Sequence, residues 1–180
     1  MSTHHASKTE RGLFAQDSGR WLGLAAAVAL AVIALDALSK WAIELEIGPN
    51  AARTHLEILG DVVELRYTAN AGVAFGLLRD SSTIAGLLVG IVIVPLVIVL
   101  VVLALRGALW AFASGLVLGG AAGNLIDRIG DQTVTDFVSV GRWPSFNVAD
   151  ASITVGAIIL IGLSLLERPA GSRPDEHASR

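Results

Sequence analysis

Residues 81–126 read SSTIAGLLVGIVIVPLVIVLVVLALRGALWAFASGLVLGGAAGNLI, two long apolar runs separated by a single charge, Arg106. A hydrocarbon layer about 30 Å thick is crossed by roughly 20 apolar residues in a helix. The stretch therefore reads as two membrane spans, 81–105 and 107–126, joined by a tight turn at Arg106-Gly107. Working outward, residues 21–35 form a third uncharged run that continues past Asp36 and Lys40 to Ile43, and 151–166 form a shorter fourth. The expected fold is an all-α membrane protein of four transmembrane helices.

Composition agrees. Of 180 residues, 53% are hydrophobic and 16% charged, against about 25% charged in an ordinary soluble domain; mean hydropathy is +0.66. There is no cysteine, which excludes a thiol nucleophile, a disulfide framework and cysteine-ligated metal. A net charge of -3 with no basic block gives a nucleic-acid partner no electrostatic support. Arg20 ahead of an Ala-rich run also fits a cleaved signal peptide. Asp36 and Lys40 fall where the helix continues, however, and no soluble domain follows, so an uncleaved span is expected.

Four spans return the chain to its starting side. Lys8, Arg11, Arg20, Arg106, Arg168, Arg173 and Arg180 share that side, against Arg53, Arg66, Arg79, Arg128 and Arg142 opposite, a bias that makes both termini cytoplasmic. Residues 1–20 and 168–180 are polar tails, expected to be disordered. Membrane lipids surround the unit between them, 21–167. Between the first two spans, Thr54, Leu56, Ile58 and then Val63, Leu65, Tyr67 alternate with polar residues across Gly60-Asp61. This predicts a small extracytoplasmic β-sheet between helices 1 and 2, within about 52–76, either a spacer or a substrate cradle. Gly115, Gly119 and Gly123, like Gly86 and Gly90, recur every four residues and predict close helix packing. Pro95 is expected to kink its helix.

This topology gathers the polar residues into one leaflet. Asp36 and Lys40 end the first span, Asn70 precedes the second, Asn124, Asp127 and Arg128 end the third, and Asn147 and Asp150 open the fourth. Ionisable groups at membrane depth cost about 2.5 kcal/mol or more each, so their gathering needs a reason. Asp36 and Lys40, at i and i+4, can form an ion pair or contact substrate. Arg128 can reach lipid headgroups. Asn124 and Asn147 can bond helix ends. Asp150 can serve as a helix cap. Asp136, fourteen positions earlier in a connecting loop, can also fold back to meet it, and two carboxylates sharing a site give one raised pKa and one ionised partner. That is the acid and base of an aspartic peptidase.

The blocks N-A-G-V-A-F-G (70–76), G-N-L-I-D-R (123–128), V-T-D-F (134–137) and F-N-V-A-D-A-S (146–152), with D-A-L-S-K (36–40), carry a resemblance to the lipoprotein signal peptidase, or signal peptidase II, family. The resemblance implies a four-helix membrane aspartic peptidase that cuts signal peptides from bacterial prolipoproteins before a diacylglyceryl-cysteine. It implies Asp136 and Asp150 as the catalytic pair. Asn70, Gly72, Asn124, Asp127, Arg128 and Asn147 would shape the site or hold substrate, with Asp36 and Lys40 matching the first-helix pair. No cofactor or metal is implied, and His4, His5, His55 and His177 lack ligand spacing. The expectation is a monomer in the bacterial cytoplasmic membrane with its site on the extracytoplasmic face. Two other active readings of the residues stay open, a Ser-Lys peptidase using Ser39 and Lys40 and a small transporter relaying protons through its acids, beside an inert membrane scaffold in which every aspartate is replaceable.

Overall fold

The computed structural model describes residues 8–60, 62–70, 82–130 and 133–167, with side chains from 17 and, in the second span, from 93. Among the described residues the elements run in the order α1 (Lys8–Ile47), β1 (His55–Glu57), β2 (Val63–Asn70), α2 (Ser82–Ala104), α3 (Ala108–Gly130), β3 (Val134–Val140) and α4 (Val148–Leu166). Asp17–Ile47, Ala108–Gly130 and Val148–Leu166 are long and apolar enough to cross a membrane. Helix α2 has 23 residues with Pro95 inside it, and Ile93–Ala104 is its described apolar part. Large exposed side chains such as Leu30, Leu38, Ile98, Ile158 and Leu165 are the lipid-facing surface of such helices.

Helix α1 already begins at Lys8, inside the segment expected to be unstructured. At about 1.5 Å per residue the 31 residues from Asp17 exceed the ~30 Å hydrocarbon layer, so the helix projects beyond it. Its far end stops at Gly48-Pro49, where Gly48 N–H still reaches the Glu44 carbonyl at 3.0 Å but proline cannot continue the ladder.

Helix α3 packs closely on its neighbours because small residues fill much of its buried face. Ala111, Ala113 and Ser114 are fully buried. A Cβ on Gly115 would stand 2.6 Å from the Ala25 carbonyl oxygen, and one on Gly119 2.7 Å from that of Ala29, both on α1. On the α4 side, Gly120 lies under Ala149 and Ile153. The expected packing of Gly115, Gly119 and Gly123 is therefore seen; Gly86 and Gly90 lie outside the described side chains. At the α2–α3 turn Gly107 has φ 152°, backbone that other residues rarely adopt.

The sheet departs from expectation. It has three strands in the order β1-β2-β3, antiparallel throughout, so the hairpin between helices 1 and 2 is completed by residues from between helices 3 and 4. The V-T-D-F block, expected in a connecting loop, is strand β3. Its partner β2 lies more than sixty residues away in sequence, and no local turn announces such a pairing. The sheet rests on the end of α1 through Ile43, Ile47 and Phe137, with Leu56, Leu65, Tyr67, Val138 and Val148 around them.

Candidate active site

Strand β3 delivers Asp136 and the first turn of α4 delivers Asp150. Register decides what Asp136 meets. Val63 to Leu65 pair with Val140 to Val138, whereas Thr68, Ala69 and Asn70 pair with Asp136, Thr135 and Val134, with an irregularity between Leu65 and Thr68. One extra residue of β2 is inserted there, and such a bulge changes which side chains share a face. In the unshifted register Asn70 would fall on the face opposite Asp136. With the bulge it stands diagonally beside it, and its Nδ2 donates to Asp136 Oδ2 at 2.8 Å.

The other Asp136 oxygen, Oδ1, accepts from Asn147 Nδ2 at 2.8 Å. Asn147 is the N-cap of α4: its Oδ1 takes the Asp150 N–H at 2.9 Å, a favoured arrangement for a helix start. The same Nδ2 lies 3.2 Å from Asn124 Oδ1 and 3.4 Å from the Thr135 carbonyl. Asn124 Nδ2 then donates to Asp150 Oδ1 at 2.7 Å. Asp136, Asn147, Asn124 and Asp150 thus form one continuous side-chain network. Asn147 is fully buried and Asp136 nearly so, while Asp150 is partly open. Burial pushes the Asp136 carboxyl above the ordinary value of 3.8. Hydrogen bonding by Asn70 opposes this, the charge of Asp150 adds to it, and Asn147 and Lys40 pull the other way.

Beside this network lies a charged one. Lys40 Nζ donates to Asp36 Oδ2 at 2.5 Å and to Asp127 Oδ2 at 2.6 Å, tying α1 to α3. The expected Asp36–Lys40 ion pair exists, and Asp127 is a member of it. Arg128 turns back onto the Asn124 carbonyl at 3.1 Å, as a basic residue in a last helical turn can. Gly72 lies outside the described residues. Of the ten site residues expected from the sequence, the other nine are at one end of the bundle. The Ala149 N–H, which donates to Asp36 Oδ1 at 2.9 Å, and the loop before α4 escape a reading of the sequence. That loop, with Trp143, Pro144 and Phe146, forms with Asp150, Ala151 and Val155 an open, mainly apolar groove of about 480 Å³. Its one sequence signal is an aromatic pair flanking a proline just ahead of N-V-A-D.

The geometry opposes both rival readings. Ser39 Oγ donates to the Asp36 carbonyl at 2.8 Å, and Lys40 is engaged by two carboxylates, so this pair is not arranged as nucleophile and base. Among the described residues the buried carboxylates, Asp36 and Asp136, lie at one end of the bundle, where a proton path would need them spread through it.

The signal peptidase (SPase) II family profile matches residues 28–166. The chain belongs to the signal peptidase II family. It is 41% identical over 154 residues to a lipoprotein signal peptidase of Rhodococcus jostii (strain RHA1), covering 81% of this chain and 75% of that one. To the protein of the same name from Moorella thermoacetica it is 39% identical over 152 residues, covering 83% and 96%. A solved bacterial membrane enzyme superposes with a TM-score of 0.63 at 28% identity, covering 81% of this chain and 94% of that one. As a member of this signal peptidase family the chain is a bacterial membrane peptidase.

Proposed function

We propose that the chain is an aspartic endopeptidase that removes signal peptides from prolipoproteins, cutting before a diacylglyceryl-modified cysteine. The observation that carries this is the Asp136–Asn147–Asn124–Asp150 network, which holds two carboxyl groups from separate elements in one site. Asp136, buried and with its pKa raised, serves as the acid, and Asp150, which lines the groove, serves as the base. If the two couple strongly, the acid's proton belongs to the pair.

Asp150 takes a proton from water as the water oxygen bonds to the scissile carbonyl carbon, and Asp136 gives its proton to the carbonyl oxygen. In the collapse the C–N bond breaks, the amine of the lipidated cysteine leaves with the proton from Asp150, and Asp136 recovers its own from the intermediate's hydroxyl. Acyl chains in the outer leaflet would hold the scissile bond at this depth, so partitioning supplies proximity. The open, mainly apolar groove beside Asp150 suits an extended apolar segment of substrate. This reading sets the site at the extracytoplasmic face, both termini in the cytoplasm, and a single chain as the working unit.

The test is cleavage of a synthetic diacylglyceryl precursor by purified protein. Asp136→Asn and Asp150→Asn should each lose at least about a thousandfold in kcat, the scale of a lost general acid or base, with folding intact by circular dichroism. Turnover retained in either variant would end the proposal.

A further inference from the structure

A helix begins with N–H groups that its own carbonyls cannot reach. In α4, Asn147 takes the one from Asp150. Ala149 is fully buried, so water does not serve its N–H. Its acceptor is Asp36 Oδ1, 2.9 Å away and 113 residues earlier in the chain. The other oxygen of Asp36 is held by Lys40, and Lys40 is held in turn by Asp127. Helix α3 closes over the pair: a Cβ on Gly123 would lie 3.0 Å from Asp36 Oδ2. A buried carboxylate is thus seated at the positive end of α4, where the helix dipole favours it, and its own neutralising cation comes from one turn along α1. Neither Asp36 nor Lys40 lines the groove beside Asp150.

We infer that Asp36 is a positioning residue: its carboxylate docks the first turn of α4 onto α1 through the Ala149 N–H and so sets where Asp150 stands relative to Asp136. Lys40 holds the other oxygen of that carboxylate and does not touch substrate. The inference rests on Asp136 and Asp150 being the catalytic pair.

A double substitution separates this role from substrate contact. In Asp36→Asn a single amide oxygen is claimed by both Lys40 and Ala149; the lysine charge wins it, and the Ala149 N–H is left facing an NH2 group. Adding Lys40→Met removes the competitor, so the amide oxygen can turn to Ala149, while Asp127, about a quarter exposed, keeps water as a partner. With the lipidated precursor, Asp36→Asn should lower kcat about a hundredfold, the scale of a misplacement near 1 Å, and leave KM within about threefold. The double variant should regain kcat to within about tenfold of wild type. Lys40→Met alone, in which Asp36 still caps α4, should stay within about tenfold of wild type, and its rate decides between positioning and substrate contact if Asp36→Asn does not accumulate.

A double variant no better than Asp36→Asn, a raised KM with kcat kept, or a Lys40→Met loss as complete as that of Asp150→Asn would each overturn the inference. Asp136→Asn and Asp150→Asn in the same assay separate the two levels. If they are dead and rescue fails, only the positioning role falls; if they turn over, the catalytic reading falls with it.

Discussion

The two ends of the bundle use the same residue types for opposite purposes. At the end where α2 turns into α3, Arg106 pairs with Glu167 at 3.0 Å, both nearly half exposed, and stacks 4.7 Å over Trp110. Arg20 lies 3.5 Å from Asp17 with both side chains well exposed, and over Trp21. At the other end Lys40 and Asp36 are 8% and 2% exposed, and they tie α1 to α3 and α4 through Asp127 and the Ala149 N–H. An exposed pair gains little over water and is worth about 0–1 kcal/mol, whereas removing one partner of a buried pair costs about 3–5 kcal/mol. The difference teaches that the outer pairs tidy the ends of helices, while the inner network is where the fold has committed its polar groups to one geometry.

Four experiments break or sharpen that contrast. The largest effect is expected from the aspartates of the inner network, about a thousandfold or more in kcat for Asp136→Asn or Asp150→Asn, read with lipidated precursor. Next, Asn124→Ala removes the hydrogen bond to Asp150 and a partner of Asn147. A bond to a charged group is worth about 1.5–3 kcal/mol, so kcat should fall about 10- to 100-fold; an unchanged rate would mean that Asp150 is held some other way.

A subtler change is expected from Asn70→Ala. The Asn70 hydrogen bond lowers the pKa of Asp136, so its loss should raise it further. The alkaline limb of the pH–rate profile, which the proposed mechanism assigns to loss of the Asp136 proton, should move to higher pH. A move to lower pH would reverse the assignment of Asp136 as the proton-bearing member. The smallest effect belongs to the opposite end. Arg106→Ala should cost no more than about 1 kcal/mol of stability, measured by thermal unfolding in detergent, and should leave cleavage unchanged. Added salt should erase even that difference while sparing the buried network.

Much of this architecture is legible in one dimension. The uncharged runs mark the spans because lipid offers backbone groups no partner, so length and apolarity alone force a helix. The i, i+4 spacing of Asp36 and Lys40 anticipates their ion pair, and the four-residue glycine period anticipates the tight packing of α3 on α1. The convergence of polar residues at one end also follows, since an even number of crossings brings those span ends to the same side.

Other features cannot be read that way. Strand β3 looks like a loop in the sequence, because its pairing with β2 is non-local and its burial does not alternate cleanly. Asp127 has no evident partner there, because Lys40 reaches it across 87 residues of chain.

The sequence by itself determined a membrane helix bundle with its acids at one face, because hydrophobic length and residue spacing act locally and leave a signature in every window. Only the tertiary structure decided that a bulge in β2 turns Asn70 towards Asp136, that Asp36 serves the first turn of another helix, and that Asn147 links the two aspartates. Those are hydrogen bonds made over a few ångströms, two of them between groups scores of residues apart, and their direction is fixed by packing that no local pattern records.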